Sequence, residues 1–169
     1  EELLIMHGRS LDAAQGLARR FAQALEASMA VDPPEPFPEV EHLLALLRGA
    51  GIPVALITGF DAGTAEFIRG TCQWSVHAVV GSDEVARGRP APDLVLEAMR
   101  RCEIDEVSRV AVVGDTPRDL QLGAAAGCGW NIGVASGSYS KEELRSHAHT
   151  HVLASLEELP EVIGLRGVD

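Results

Sequence analysis

The chain has 169 residues, 46% hydrophobic and 23% charged, the balance of one globular domain with a proper core. Its 25 acidic and 14 basic residues give a net charge of -11. That argues against nucleic acid and against an anionic membrane surface as partners, because both are held by clusters of Lys and Arg.

No apolar run approaches the roughly 20 residues that cross a bilayer. The opening EELLIMHGRS is acidic, and its apolar stretch is too short for a secretory signal. Cys72, Cys102 and Cys128 are odd in number and lack metal spacing, so a reducing cytoplasm is the expected compartment.

The first strand-like piece is LLIM at Leu3 to Met6, which ends in His7 and Gly8. Leu11 to Met29 reads as a helix, with Leu11, Ala14, Leu17, Ala18, Phe21 and Leu25 on one face. VDPPEPFPEV, Val31 to Val40, carries four prolines and reads as an extended linker. From there short apolar runs alternate with amphipathic ones. Helices are expected at Glu39 to Gly49, Ala62 to Arg69, Pro92 to Cys102, Pro117 to Ala126, Lys141 to Ser146 and Leu156 to Ile163. Strands are expected at Ile52 to Ile57, Val76 to Val80, Arg109 to Val113, Trp130 to Val134 and His151 to Ala154. This alternation is the pattern of βαβ units, so the expected fold is α/β: a Rossmann-like parallel sheet with helices on both faces.

In such sheets ligands bind beyond the carboxyl ends of the strands. Thr58 and Gly59 follow the first main strand. Gly81, Ser82 and Asp83 follow the second, in a loop that runs on to Arg87, Gly88 and Arg89. Gly114, Asp115, Thr116 and Asp119 follow the third. The Thr58 hydroxyl can donate to a phosphoryl oxygen, and a guanidinium such as Arg89 matches phosphate with a planar fork of donors. Asp115 and Asp119 are hard oxygen ligands suited to Mg2+, which takes one or two carboxylates and keeps several waters. Asp119 has a second reading. With Thr116 as N-cap and Pro117 as the first helical residue, it completes a capping box. Asp115 precedes the cap and has no such structural role.

Three other features carry less. His147, His149 and His151 alternate, and on a strand they would share a face that could bind zinc. They lie at a helix-to-strand junction with no carboxylate or cysteine beside them. Trp130 opens a strand and reads as packing. Cys72 and Cys128 read as buried small residues without a base to activate them.

LITGF at Leu56 to Phe60, ARGRPAPD at Ala86 to Asp93 and VVGDTPRD at Val112 to Asp119 resemble, in that order, the second, third and fourth signatures of the haloacid dehalogenase superfamily. The GRP with arginine, the GDT and the tail HTHVLASLEELPEV are most similar to its phosphonatase-like branch. The resemblance spans roughly Pro36 to Ile163. It implies that Thr58 and Gly59 contact the phosphoryl group and that Arg89 replaces the family's usual lysine. It also implies that Asp115 helps to hold Mg2+ and that Asp119 supports the metal site through water or hydrogen bonds.

The resemblance further implies a division into the end of a helical cap, residues 1 to about 35, and an α/β core, 36–169, that lacks its first strand. The family's nucleophile is an aspartate ending that strand. The nearest aspartate in this chain is Asp12, inside a helical pattern, so the nucleophile is expected upstream of residue 1. The branch's phosphonoacetaldehyde hydrolases also use a cap lysine as a Schiff base, whereas the only lysine in this chain is Lys141. A phosphate ester is therefore as fitting a substrate as a phosphonate.

The expected function is Mg2+-dependent hydrolysis of a small phosphorylated or phosphonate metabolite through an aspartyl-phosphate. Two alternatives share the fold. One is a catalytically inactive fragment or phosphate- and Mg2+-binding module. The other is a metal-independent 2-haloacid dehalogenase, disfavoured because halide displacement has no use for two cation-binding carboxylates.

Overall fold

The computed structural model describes residues 11–165 except Pro34. The expectation for Leu3 to Met6 therefore lies outside the described residues. Helix α1 runs Leu11–Val31, and α2, Pro38–Gly49, starts with proline at its first turn. Then come β1 (Ala55–Ile57), α3 (Ala62–Thr71), β2 (Ala78–Val80) and α4 (Asp93–Arg101). The second half holds β3 (Ala111–Gly114), α5 (Pro117–Ala126), β4 (Trp130–Val134), α6 (Lys141–Arg145), β5 (His151–Leu153) and α7 (Leu159–Val162).

All strand pairs are parallel, as the βαβ pattern predicts. They form two sheets, β1-β2 and β3-β4-β5, and among the described residues β1 and β3 are not paired. One helical layer spans both sheets. Leu94, Val95 and Ala98 of α4 and Leu122 of α5 share a core cluster with Val80 of β2 and Val112 of β3, joined by Ala55 and Ile57 of β1. The next residue of β3, Val113, packs on the other face with Leu43 and Leu47 of α2, Ile132 of β4 and Leu159 of α7. Neighbouring strand residues thus enter opposite cores, which is why these strands read as continuous apolar runs rather than alternating ones.

Several boundaries differ from the sequence reading. The first two strands are shorter at their starts. Pro53 has no N–H to give, and the Val54 amide donates to Nδ1 of His77 at 3.1 Å, so a side chain occupies a would-be ladder position. The final helix is broken. Ser155 caps a short 3-10 turn, Leu156–Glu158, before α7 begins. In α1, two residues of the predicted apolar stripe are exposed, Leu17 at 44% and Phe21 at 60%, while Leu25 is half-buried. Trp130 packs against the second core cluster, as expected. Cys72 is buried and Cys128 only partly so, and burial pushes both thiols up.

Candidate active site at the strand ends

Arg89 joins the two sheets at their carboxyl ends. Its Nη1 donates to Oδ1 of Asp119 at 2.6 Å, on the β3 side. On the β1 side, its Nη2 lies 3.0 Å from where a Cβ would stand on Gly59. Glycine at that position admits the guanidinium; a side chain would push it away. Three of the residues singled out in the sequence therefore meet around one cation.

Asp119 is buried and densely bonded. Oδ2 accepts from the Thr116 amide at 3.1 Å and from its hydroxyl at 2.7 Å, while the Asp119 amide donates back to Thr116 Oγ1 at 3.4 Å. The capping box of α5 is thus formed, and Asp119 adds the Arg89 ion pair to it. Its side chain lies directly over Gly114, where an added Cβ would fall 2.3 Å from Asp119 Cβ. The glycine of GDT is needed for that approach, a constraint that periodicity and motif spacing do not reveal. Asn131, buried in β4, fixes α5 from behind by donating Nδ2 to the Leu120 carbonyl at 2.8 Å.

Asp115 is the opposite case. It is exposed and makes no hydrogen bond or ion pair among the described residues. Its neighbour is Gly137, in the loop after β4: a Cβ there would stand 2.1 Å from Asp115 Oδ2. This loop was missing from the rim expected on sequence grounds. The available signal was the run ASGSYS at the end of β4, since every strand end on this rim is a candidate.

Thr58 stands at the end of β1, where its amide donates to the Val80 carbonyl at 3.1 Å. Its hydroxyl oxygen accepts from the Phe60 amide at 3.2 Å, which leaves the hydroxyl proton available to an incoming oxygen. The Gly59-Phe60 turn is pinned from outside. The Ser82 amide donates to the Phe60 carbonyl at 2.8 Å, and the Ala62 amide to Asp83 at 2.8 Å. Arg101 anchors that outer loop by donating to the Val79 carbonyl at 2.6 Å and to Glu84 at 2.9 Å. The Arg101 guanidinium holds the Glu84 carboxyl below its ordinary range. The pairs with Arg100 and then Arg101 pull Glu97 down to about 2.

Among the described residues no three His, Cys, Asp or Glu side chains gather to hold a metal, so the carboxylates of this rim are a pair rather than a cage. The histidines of HAHTH likewise form no cluster; His149 Nδ1 is hydrogen-bonded to the His147 carbonyl at 2.7 Å. No described helix is long and apolar enough to cross a membrane.

Residues 4–127 match the pattern of the haloacid dehalogenase-like hydrolases. A phosphonoacetaldehyde hydrolase of Parabacteroides distasonis is 35% identical over 118 residues, covering 66% of this chain and 44% of that protein. A phosphoglycolate phosphatase of Escherichia coli is 30% identical over 133 residues, covering 76% of this chain and 51% of that protein. The chain thus spans about half the length of the curated relatives it matches. Among solved structures, the phosphonoacetaldehyde hydrolase-like protein of Oleispira antarctica superimposes with a TM-score of 0.79 at 22% identity, covering 92% of this chain and 65% of that one. That likeness concerns the fold alone. With the family pattern running through the Thr58, Arg89 and Asp115 segments, the chain belongs to the haloacid dehalogenase-like hydrolases.

Proposed function

We propose that this chain is the larger part of the core of a Mg2+-dependent phosphohydrolase acting on a small phosphate ester or phosphonate. The observation that carries the reading is the Arg89 bridge. A guanidinium held by Asp119 sits at the junction of the β1 and β3 ends, beside a glycine that makes room for it. Only Nη1 is committed to Asp119, so the remaining donors of the fork can meet phosphoryl oxygens. Relatives named as phosphonoacetaldehyde hydrolase and phosphoglycolate phosphatase support both substrate types.

The donor set fits Mg2+. Asp115 supplies a carboxylate with no competing partner among the described residues, and Mg2+ needs one or two such ligands, its own waters filling the rest. Asp119 retains acceptor capacity beyond its three bonds and supports the site through water or by fixing Arg89. When bound, the cation supplies neutralisation of the phosphoryl oxygens. The chain's own part is positional, as phosphoryl transfer requires. Arg89 orients the phosphoryl group, the Thr58 hydroxyl donates to one of its oxygens, and Gly59 admits it to the backbone.

The nucleophile in this reading is an aspartate upstream of residue 1. Its carboxylate oxygen bonds to phosphorus as the bond to the leaving group breaks. Water then cleaves the aspartyl-phosphate to give inorganic phosphate and the free carboxylate. A reducing cytoplasm suits Cys72, Cys102 and Cys128, all free thiols.

The test is phosphate release by the intact protein from a panel of small phosphate monoesters and phosphonates, with Mg2+ and with excess chelator. Release that stops on chelation is the expected result. Release that persists in chelator contradicts the metal assignment, and no release from any compound contradicts the hydrolase reading.

A further inference from the structure

The loop after β4, Ala135 to Ser140, reaches back over the end of β3 and places Gly137 against the Asp115 carboxylate. The closeness is extreme. A Cβ on Gly137 would stand 2.1 Å from Oδ2, 3.0 Å from Cγ and 3.1 Å from Cβ of Asp115. No side chain fits there while Asp115 keeps its present direction. No hydrogen bond or ion pair among the described residues holds that direction. Asp119, by contrast, is fixed by three bonds.

We infer that Gly137 is a positioning residue for the cation site, its bare backbone forming the wall that aims the Asp115 carboxylate. This rests on the reading of Asp115 as the Mg2+ ligand. The effect is one of degrees of freedom. A carboxylate at the end of an exposed, unbonded side chain samples several rotamers, and each ordering step costs affinity. A wall at van der Waals distance removes some of those rotamers without adding a competing donor. A hydrogen-bonding neighbour would also orient the carboxylate, but it would occupy a lone pair that the metal needs. Glycine is the residue that comes closest while leaving the oxygens free.

A Cβ at 137 should act mainly on the carboxylate. The atoms it meets are those of a short exposed side chain, which can rotate away, so the fold is largely undisturbed. The rotated carboxylate then points off the rim. Groups that orient metal ligands from behind change metal affinity by about 10-fold to 100-fold when altered.

The experiment is titration of Mn2+ into the purified intact protein, followed by electron paramagnetic resonance. The proteins compared are wild type, Gly137→Ala, Ser138→Ala and Asp115→Asn, each with its thermal midpoint measured. We expect one bound Mn2+ in the wild type and in Ser138→Ala, none in Asp115→Asn, and about 10-fold weaker binding in Gly137→Ala at an unchanged midpoint. Wild-type affinity in Gly137→Ala would overturn this inference and leave the Asp115 reading standing. Absent wild-type binding, or full binding by Asp115→Asn, would overturn the Asp115 reading and this inference with it. A lowered midpoint in Gly137→Ala would show that the residue serves the fold, and would equally overturn the inference. The Asp115 13Cγ resonance is the second readout: it should move in Gly137→Ala and stay in place in Ser138→Ala.

Discussion

Asp115 and Asp119 stand four residues apart on one rim, yet they live in different physical worlds. Asp119, in the first turn of α5, is 7% exposed, and its carboxylate is bonded to Arg89 and twice to Thr116. Asp115, in the turn that ends β3, is exposed and bonded to nothing among the described residues. One carboxylate is consumed in building the rim; the other is left available on it. Nearness in sequence therefore says little about role. What decides it is whether the lone pairs are already taken.

The largest effect that would sharpen this contrast is on stability. Asp119→Ala strands the Arg89 guanidinium and two Thr116 donors, so we expect a loss of about 3 kcal/mol in denaturant unfolding. A loss under about 0.5 kcal/mol, the scale of ordinary surface substitutions, would break the comparison. Thr116→Ala should come next, at about 1 kcal/mol, by removing the N-cap hydroxyl from α5. Circular dichroism melts that leave its midpoint at the wild-type value would remove the capping box from the account. Asp115→Asn should cost less than about 0.5 kcal/mol, since no bond is lost, while Mg2+ binding disappears.

The smallest expected effect comes from a third carboxylate, Asp61, which caps α3 with no ion pair among the described residues. The Thr64 amide and hydroxyl donate to it at 3.0 and 2.9 Å. The Thr64 amide bond holds its carboxyl below the ordinary 3.8, against a smaller upward push from burial. A lowered folded-state value means that the stabilisation is present above 3.8 and is lost as pH falls through the depressed value. Asp61→Asn keeps an acceptor for the Thr64 amide and has no charge to lose. Its acid unfolding curve should therefore be flatter below about 3.8 than that of wild type. Parallel curves would show that the cap does not titrate.

Much of this was legible in the sequence because the determinants are local. Thr116, Pro117 and Asp119 announce the start of α5, and the short apolar runs announce buried strands. The rim of Thr58, Arg89 and Asp115 follows from asking what stands after each strand. What escaped the sequence depends on long-range contact. That Asp119 both caps a helix and holds Arg89 required the third-signature loop to fold across 30 residues. Gly137 carries no signal in the local sequence, because it is the pairing of β4 beside β3 that brings its backbone onto Asp115. The His77 ring entering the start of the β1–β2 ladder is likewise invisible to periodicity, because it replaces a backbone partner with a side chain.

The most direct measurement is an amide NMR titration of the intact protein, first with Mg2+ and then with inorganic phosphate. Saturable shifts from Mg2+ are expected at Asp115, Thr116 and Gly137, followed by phosphate shifts at Thr58, Gly59 and the Arg89 side chain. Saturable shifts elsewhere with none at this rim, or no saturable shift at all, would contradict this reading of the rim.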